Sequence, residues 1–173
     1  MANKNPWKKY LILLALALIL WGVTSLKERK YAPSTEKIFD FTSDQVTEIT
    51  VEKDTLSVTL VKNDTSWVFA APDTGDVNQN KVTTFLENVI EEGTHTGFQT
   101  KNQDKYTHYE ITDDLATKIT LKLKNEKQRD LFVSRSKSNW SHDYIRYPKD
   151  PKVYITGKKI MYYFSEKTSF WKK

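Results

Sequence analysis

Residues 47–60, TEITVEKDTLSVTL, decide the fold class of this chain. Ile49 and Val51, with Val46 ahead of them, and then Leu56, Val58 and Leu60 follow or nearly follow an every-second-residue pattern on either side of Lys53-Asp54-Thr55. That period sends alternate side chains to opposite faces, so each run reads as a half-buried strand and the polar triplet as the turn of a hairpin. Trp67, Val68 and Phe69 supply a third short strand after Asn63-Asp64-Thr65-Ser66, and Pro72 with Gly75 closes it.

The period then changes. Val82, Phe85, Leu86, Val89 and Ile90 fall at i, i+3, i+4, i+7 and i+8, which places them on one face of a helix. Asp76 or Asn78 serves as its N-cap, and Gly93 is expected to end it in a left-handed conformation. Burying those side chains against the hairpin contributes about 1.5–3 kcal/mol each before the entropy cost.

A similar order follows downstream. Ile119, Leu121 and Leu123 alternate, Asn125-Glu126-Lys127 turns the chain, and residues 131–133 return. Thr47-Glu48-Ile49-Thr50-Val51 and Thr117-Lys118-Ile119-Thr120-Leu121 share a pattern 70 residues apart, and Trp140 stands near the place of a counterpart to Trp67. Two readings stand side by side: duplication of a strand-strand-strand-helix unit, or chance similarity between two amphipathic hairpins. Tyr144, Ile145 and Tyr147, then residues 153–155, add strands around a turn marked by Pro148 and Pro151, and the aromatic residues 160–171 close the core as a short helix or strand. The expected fold class is α+β, an antiparallel sheet with packed helices over residues 38–173, with halves 38–110 and 111–173.

Upstream lies the one long apolar segment. Residues 11–23 are uniformly apolar, residues 10–26 extend that run, and residues 7–26 reach ~30 Å as a helix if Lys8 and Lys9 snorkel toward headgroups. Trp7, Tyr10 and Trp21 stand where amphipathic rings favour the interface, and Leu11, Leu14 and Leu18 fill the span between them. The expected layout is a short cytoplasmic tail (1–9), a single transmembrane helix (10–26), a juxtamembrane linker (27–37) and an extracytoplasmic domain (38–173). Signal-peptide cleavage near Val23-Thr24-Ser25 competes, but Trp21 and the lack of an Ala-x-Ala pair at the end of the run make a poor site. Lys4, Lys8 and Lys9 favour a cytoplasmic N-terminus, which puts the protein in the inner (plasma) membrane with its C-terminal domain periplasmic or extracellular.

The net charge of +5 sits in that anchor. Residues 1–30 carry six Lys/Arg and one Glu, and residues 31–173 carry 21 of each sign, which removes the main argument for a nucleic-acid partner. Within the domain, residues 31–110 are net −8 and residues 111–173 net +8. Either the two halves interleave and cancel, or a basic face built from Lys118, Lys122, Lys124, Arg129, Arg135 and Arg146 meets an anionic ligand.

Catalytic signatures are weak. Adjacent Ser141-His142-Asp143 cannot converge on one atom from a strand, and His95, His108 and His142 lack metal-site spacing, so they read as surface histidines. Asp113-Asp114 and Glu91-Glu92 fit a turn or helix end better than acid–base chemistry. With no cysteine there is no disulfide, thiolate nucleophile, zinc–thiolate site or lipidated anchor. No cofactor and no metal are expected.

Phe39 and Phe41 ahead of Val46-Thr47-Glu48-Ile49, Trp67 followed by Pro72, the helix across residues 82–90, Tyr109-Glu110-Ile111-Thr112-Asp113 and the later Val153-Tyr154 together resemble the domain-of-unknown-function family number 4340, over roughly residues 38–171. Many members carry glycine where this chain has Glu110 and Ser134. The resemblance implies a membrane-anchored outward domain, in some members alongside components of gliding-type ABC transporters, and implies no catalytic residues. The expected function is that of a non-enzymatic protein-interaction or accessory subunit whose partner is another envelope or transporter protein; the alternative is a module binding an envelope polymer or anionic lipid through the basic second half.

Overall fold

The computed structural model describes residues 7–31, 35–137 and 139–173. They form two units that divide after Ser34. In the first, helix α1 (Trp7–Tyr31) continues through Lys27-Glu28-Arg29-Lys30, past the expected end at residue 26. Lys, Arg and Glu are strong helix formers, so a polar stretch without glycine does not end a helix. Among the described residues no helix is long and apolar enough to cross a membrane.

In the second unit the described residues form nine strands: β1 (Thr35–Lys37), β2 (Val46–Lys53), β3 (Leu56–Asn63), β4 (Ser66–Phe69), β5 (Thr94–Thr100), β6 (Thr117–Leu123), β7 (Gln128–Arg135), β8 (Asp143–Arg146) and β9 (Val153–Thr156). They make one sheet in the order β1-β5-β9-β8-β7-β6-β2-β3-β4, antiparallel throughout. The second unit thus begins at Thr35, inside the expected linker. β1 has only the polar side chains of Thr35, Glu36 and Lys37, all exposed, and exists through backbone pairing with β5, which leaves no apolar pattern to read.

One sheet face is apolar. Ile49, Val51, Val58, Leu60, Ile119, Leu121, Leu131, Val133 and Ile145 are buried there beneath Val82, Phe85, Val89 and Ile90 from the helix and Ile160, Phe164 and Trp171 from the C-terminal segment. The spacing of Val46 and Ile49, one residue too long for strict alternation, is absorbed by a register shift between Val46 and Glu48, a β-bulge that keeps both inside. On the opposite face the connection from β5 to β6 covers β7–β9 and forms a second, smaller core of Ile111, Ala116, Phe132, Tyr144 and Val153.

The helix matches the sequence reading in position and differs in form. α2 (Gln79–Phe85) starts at Asn78, whose side chain accepts from the Lys81 N–H at 3.4 Å. From Leu86 to Glu91 it widens into a π-helical turn, with the Glu92 N–H donating to the Glu87 carbonyl at 2.9 Å. The Gln79 amide bonds both the N–H and the C=O of Trp67, at 2.9 and 2.8 Å, and so occupies part of the free edge of β4. Gly93 is not left-handed, since Gly75 is the glycine with positive φ among the described residues. Glycine is required because a Cβ at residue 93 would stand 2.1 Å from the Val89 carbonyl oxygen.

The two hairpin patterns meet inside the sheet. β2 pairs with β6 so that Thr50 faces Thr120, with Ile49 opposite Leu121 and Val51 opposite Ile119. The pairing is centred on residues 70 apart, and each hairpin extends outward from it. The two halves differ in element order: β4 leads into α2, whereas β8 leads into β9 and the last helix, α3 (Thr168–Trp171), is a single turn. Trp140 is 76% exposed where Trp67 is buried, so the two tryptophans differ in environment.

Gly93→Ala is expected to destabilise the domain by about 1–3 kcal/mol through forced displacement of the π turn. Urea unfolding of the full chain measures this, and a variant as stable as the parent contradicts the packing described.

Candidate functional site

Alternation along β6 puts Lys118 and Lys122 on the polar sheet face with Thr120, away from buried Ile119 and Leu121. Each cation there has a partner: Lys118 Nζ lies 2.9 Å from Glu52, Lys122 Nζ 3.0 Å from Glu126, and Lys124 Nζ, just past the strand end, 3.5 Å from Asp44. Hydrogen bonds that Lys118 and Lys122 donate to the Glu52 and Glu126 carboxylates raise the pKa of both lysines, which keeps them protonated. Arg129 falls on the other side of the sheet, its Nε 4.0 Å from Asp40.

Arg146 is buried and structural. Its Nε donates to the Ile111 carbonyl at 3.1 Å, its guanidinium pairs with Asp113, and it lies 4.3 Å from the Phe132 ring and 5.1 Å from the Tyr106 ring. It ties the β5–β6 connection to β8 and is closed to an outside ligand. Of the six basic residues read from the sequence, Arg135 alone has no ion-pair partner among the described residues.

Arg135 ends β7 at one end of the sheet, beside the start of β6 and the end of β2. A cleft of about 430 Å³ opens there against the C-terminal segment, lined by Lys53, Thr117, Ser134, Arg135, Glu166 and Lys167 among others. Thr117 is 2% exposed and its hydroxyl has no hydrogen-bond partner. Ser134 donates to the Tyr109 carbonyl at 2.6 Å, which fixes the neighbouring loop. Glu110, on the rim, holds φ +52°, a left-handed conformation that glycine adopts without strain, and its carboxylate lies 2.6 Å from Lys137. The two positions at which the family resemblance expects glycine, 110 and 134, therefore both stand at this cleft. Sequence reading singled out Arg135 for its charge; Lys53, Thr117 and Lys167 come from distant segments and gave no local signal.

The other candidates do not converge. Asp143 is buried and its carboxylate accepts from the Ile160 and Met161 N–H groups at 2.7 and 2.9 Å, while Ser141 bonds Asn139, so these residues share no reacting centre with His142. Glu91 accepts from the Ser43 N–H at 2.6 Å, which lowers its pKa, and Glu92 pairs with Lys158. Among the described residues no group of three or more His, Asp or Glu is placed to hold a metal ion.

His95 is not a surface residue. It is 5% exposed in β5, its ring 4.4 Å from that of Tyr154 and 6.2 Å from that of Tyr147, and its Nδ1 has no partner. Burial lowers its pKa, opposed in part by the carboxylates of Glu36 and Asp150. Burial and the hydrogen bond to Asp150 push Tyr154 up to about 12, so the phenol packed on the imidazole stays un-ionised.

The fold and cleft define a sheet-built domain with a polar recess at one sheet end. The chain belongs to the family described as Domain of unknown function (DUF4340), whose profile matches residues 67–173. The match starts within β4, later than the expected residue 38, and leaves the β2–β3 hairpin before it. No curated protein and no solved structure matches the chain.

Because His95 has a lowered pKa in the folded state, the unfolded chain binds a proton more readily, so stability is present above the ordinary histidine value of about 6.5 and is lost as pH falls through it. Urea midpoints are expected to fall between about pH 7 and pH 5, with a shallower fall in His95→Asn; identical slopes in parent and variant contradict the assignment.

Proposed function

We propose that the chain is a single-pass membrane protein whose domain, from Thr35 onward, stands outside the cell membrane as a non-enzymatic recognition subunit of an envelope or transporter assembly. The observation that carries this reading is the surface of α1. Leu11, Ile12, Leu13, Leu14, Leu16, Leu18, Ile19, Leu20 and Trp21 are each more than half exposed, on every side of the helix. A helix apolar all round has no water-facing side and calls for an apolar surrounding, lipid or other helices. α1 is helical throughout Trp7–Tyr31; its apolar run is shorter than a hydrocarbon layer, and the stretch 7–26 reaches ~30 Å only with Lys8 and Lys9 extended to the headgroups. The basic N-terminal tail favours the orientation with the domain outward.

The domain's own surface supports recognition by shape and local chemistry more than by a charged face. A polymer- or lipid-binding face would draw on the six basic residues, and all but Arg135 are engaged with carboxylates of the same chain. The polar sheet face presents rows of alternating sign, Glu48 opposite Lys122 and Glu52 opposite Lys118.

Alkaline carbonate extraction of cells expressing the full chain is expected to leave it in the membrane pellet, and protease added to intact spheroplasts is expected to digest the domain. Mild-detergent purification is expected to bring a second envelope protein in fixed stoichiometry. Release by carbonate, or protection from the protease, contradicts the anchored outward arrangement, and repeated recovery as a lone monomer contradicts the subunit role.

A further inference from the structure

We infer that the cleft at the ends of β2, β6 and β7 is a binding site for a small ligand bearing an oxyanion, a phosphate or carboxylate group held by Arg135 with Lys53 and Lys167. The inference is independent of the membrane reading and concerns the domain's own chemistry.

The first support is the state of the cations. Lys118, Lys122, Lys124, Arg129 and Arg146 have carboxylate partners, whereas Lys53, Arg135 and Lys167 line one recess and none has an ion pair among the described residues. Two carboxylates line the same recess. Glu110 is matched by Lys137, which leaves Glu166 against three cations. A bound anion removes that imbalance, and the planar guanidinium of Arg135 offers the forked pair of donors that phosphate and carboxylate oxygens accept.

The second support is Thr117. A buried hydroxyl without a partner is costly, and natural structures satisfy nearly all such groups. Its Oγ1 is buried and unpartnered at the lining of this cleft, and valine has the same shape without the cost. With no surface open to the cleft, this hydroxyl meets a ligand oxygen only where the lining side chains move apart. The strain of a non-glycine residue at φ +52° falls on the rim of the same recess, at Glu110, where it aims a carboxylate at Lys137. The volume, about 430 Å³, suits a small organic ligand rather than a polymer chain.

The test uses the full chain in neutral detergent at low salt, titrated calorimetrically with inorganic phosphate and, separately, with succinate, each against chloride at matched ionic strength. Saturable binding of either probe is expected; which one saturates distinguishes a phosphate ligand from a carboxylate one. Arg135→Gln is expected to weaken it about tenfold or more. Thr117→Val is expected to raise the melting temperature of the free protein, and Lys124→Gln, outside the cleft, to leave the binding unchanged. No saturable heat from either probe up to about 10 mM overturns the proposal. So does an equal loss in Arg135→Gln and Lys124→Gln, which marks general charge attraction. Should Thr117→Val fail to fold, the comparison of Arg135→Gln with Lys124→Gln decides.

Discussion

The antiparallel pairing of β2 with β6 is the interaction on which the rest of the domain depends. It joins strands 70 residues apart in the sequence in the interior of the sheet, with β3–β4 on one side and β7, β8, β9, β5 and β1 on the other. Its inward face buries Ile49, Val51, Ile119 and Leu121 completely, and these form the floor under α2 and the C-terminal segment. Its outward face sets Glu48 against Lys122 and Glu52 against Lys118 across Thr50 and Thr120. One register thus serves both faces, because a slip of one residue exchanges the apolar set for the charged one.

This pairing also resolves the charge asymmetry of the sequence. The acidic half supplies Glu52 and Asp44, the basic half supplies Lys118 and Lys124, and they neutralise one another where the halves pack. Exposed pairs of this kind hold register and suppress wrong pairings more than they stabilise. At one sheet end Lys53, Arg135 and Lys167 line a cleft without ion-pair partners among the described residues.

Elements with a strong apolar period were legible in the sequence: β2, β3, β6 and β7, and the helix face from Val82 to Ile90. β1 and β5 were not. β5 has Thr-His-Thr-Gly-Phe-Gln-Thr, in which the buried groups are His95 and Thr100 and the aromatic Phe98 is 54% exposed, so its pattern runs opposite to that of a half-buried strand. Arg146 and His95 were misplaced for a related reason. Whether a polar side chain is buried depends on what packs over it, here Asp113 with the Ile111 carbonyl and the two tyrosines Tyr147 and Tyr154, all remote in sequence. The π turn and the role of Gly93 likewise follow from a backbone approach that no local pattern encodes. Of the cleft, the charge of Arg135 was readable and the company it keeps was not.

Because the chain has no cysteine, paired cysteines placed in it report on its strand register directly. Thr50→Cys combined with Thr120→Cys puts two thiols directly opposite on the polar face, at the ~4.5–5.5 Å Cβ separation of cross-strand neighbours, whereas Thr50→Cys with Lys118→Cys sets them diagonally at ~7–8 Å. Mild oxidation of the full chain, read by mobility on non-reducing gels, is predicted to cross-link the first pair rapidly and the second poorly. Failure of the first pair, or equal cross-linking of both, contradicts the central pairing.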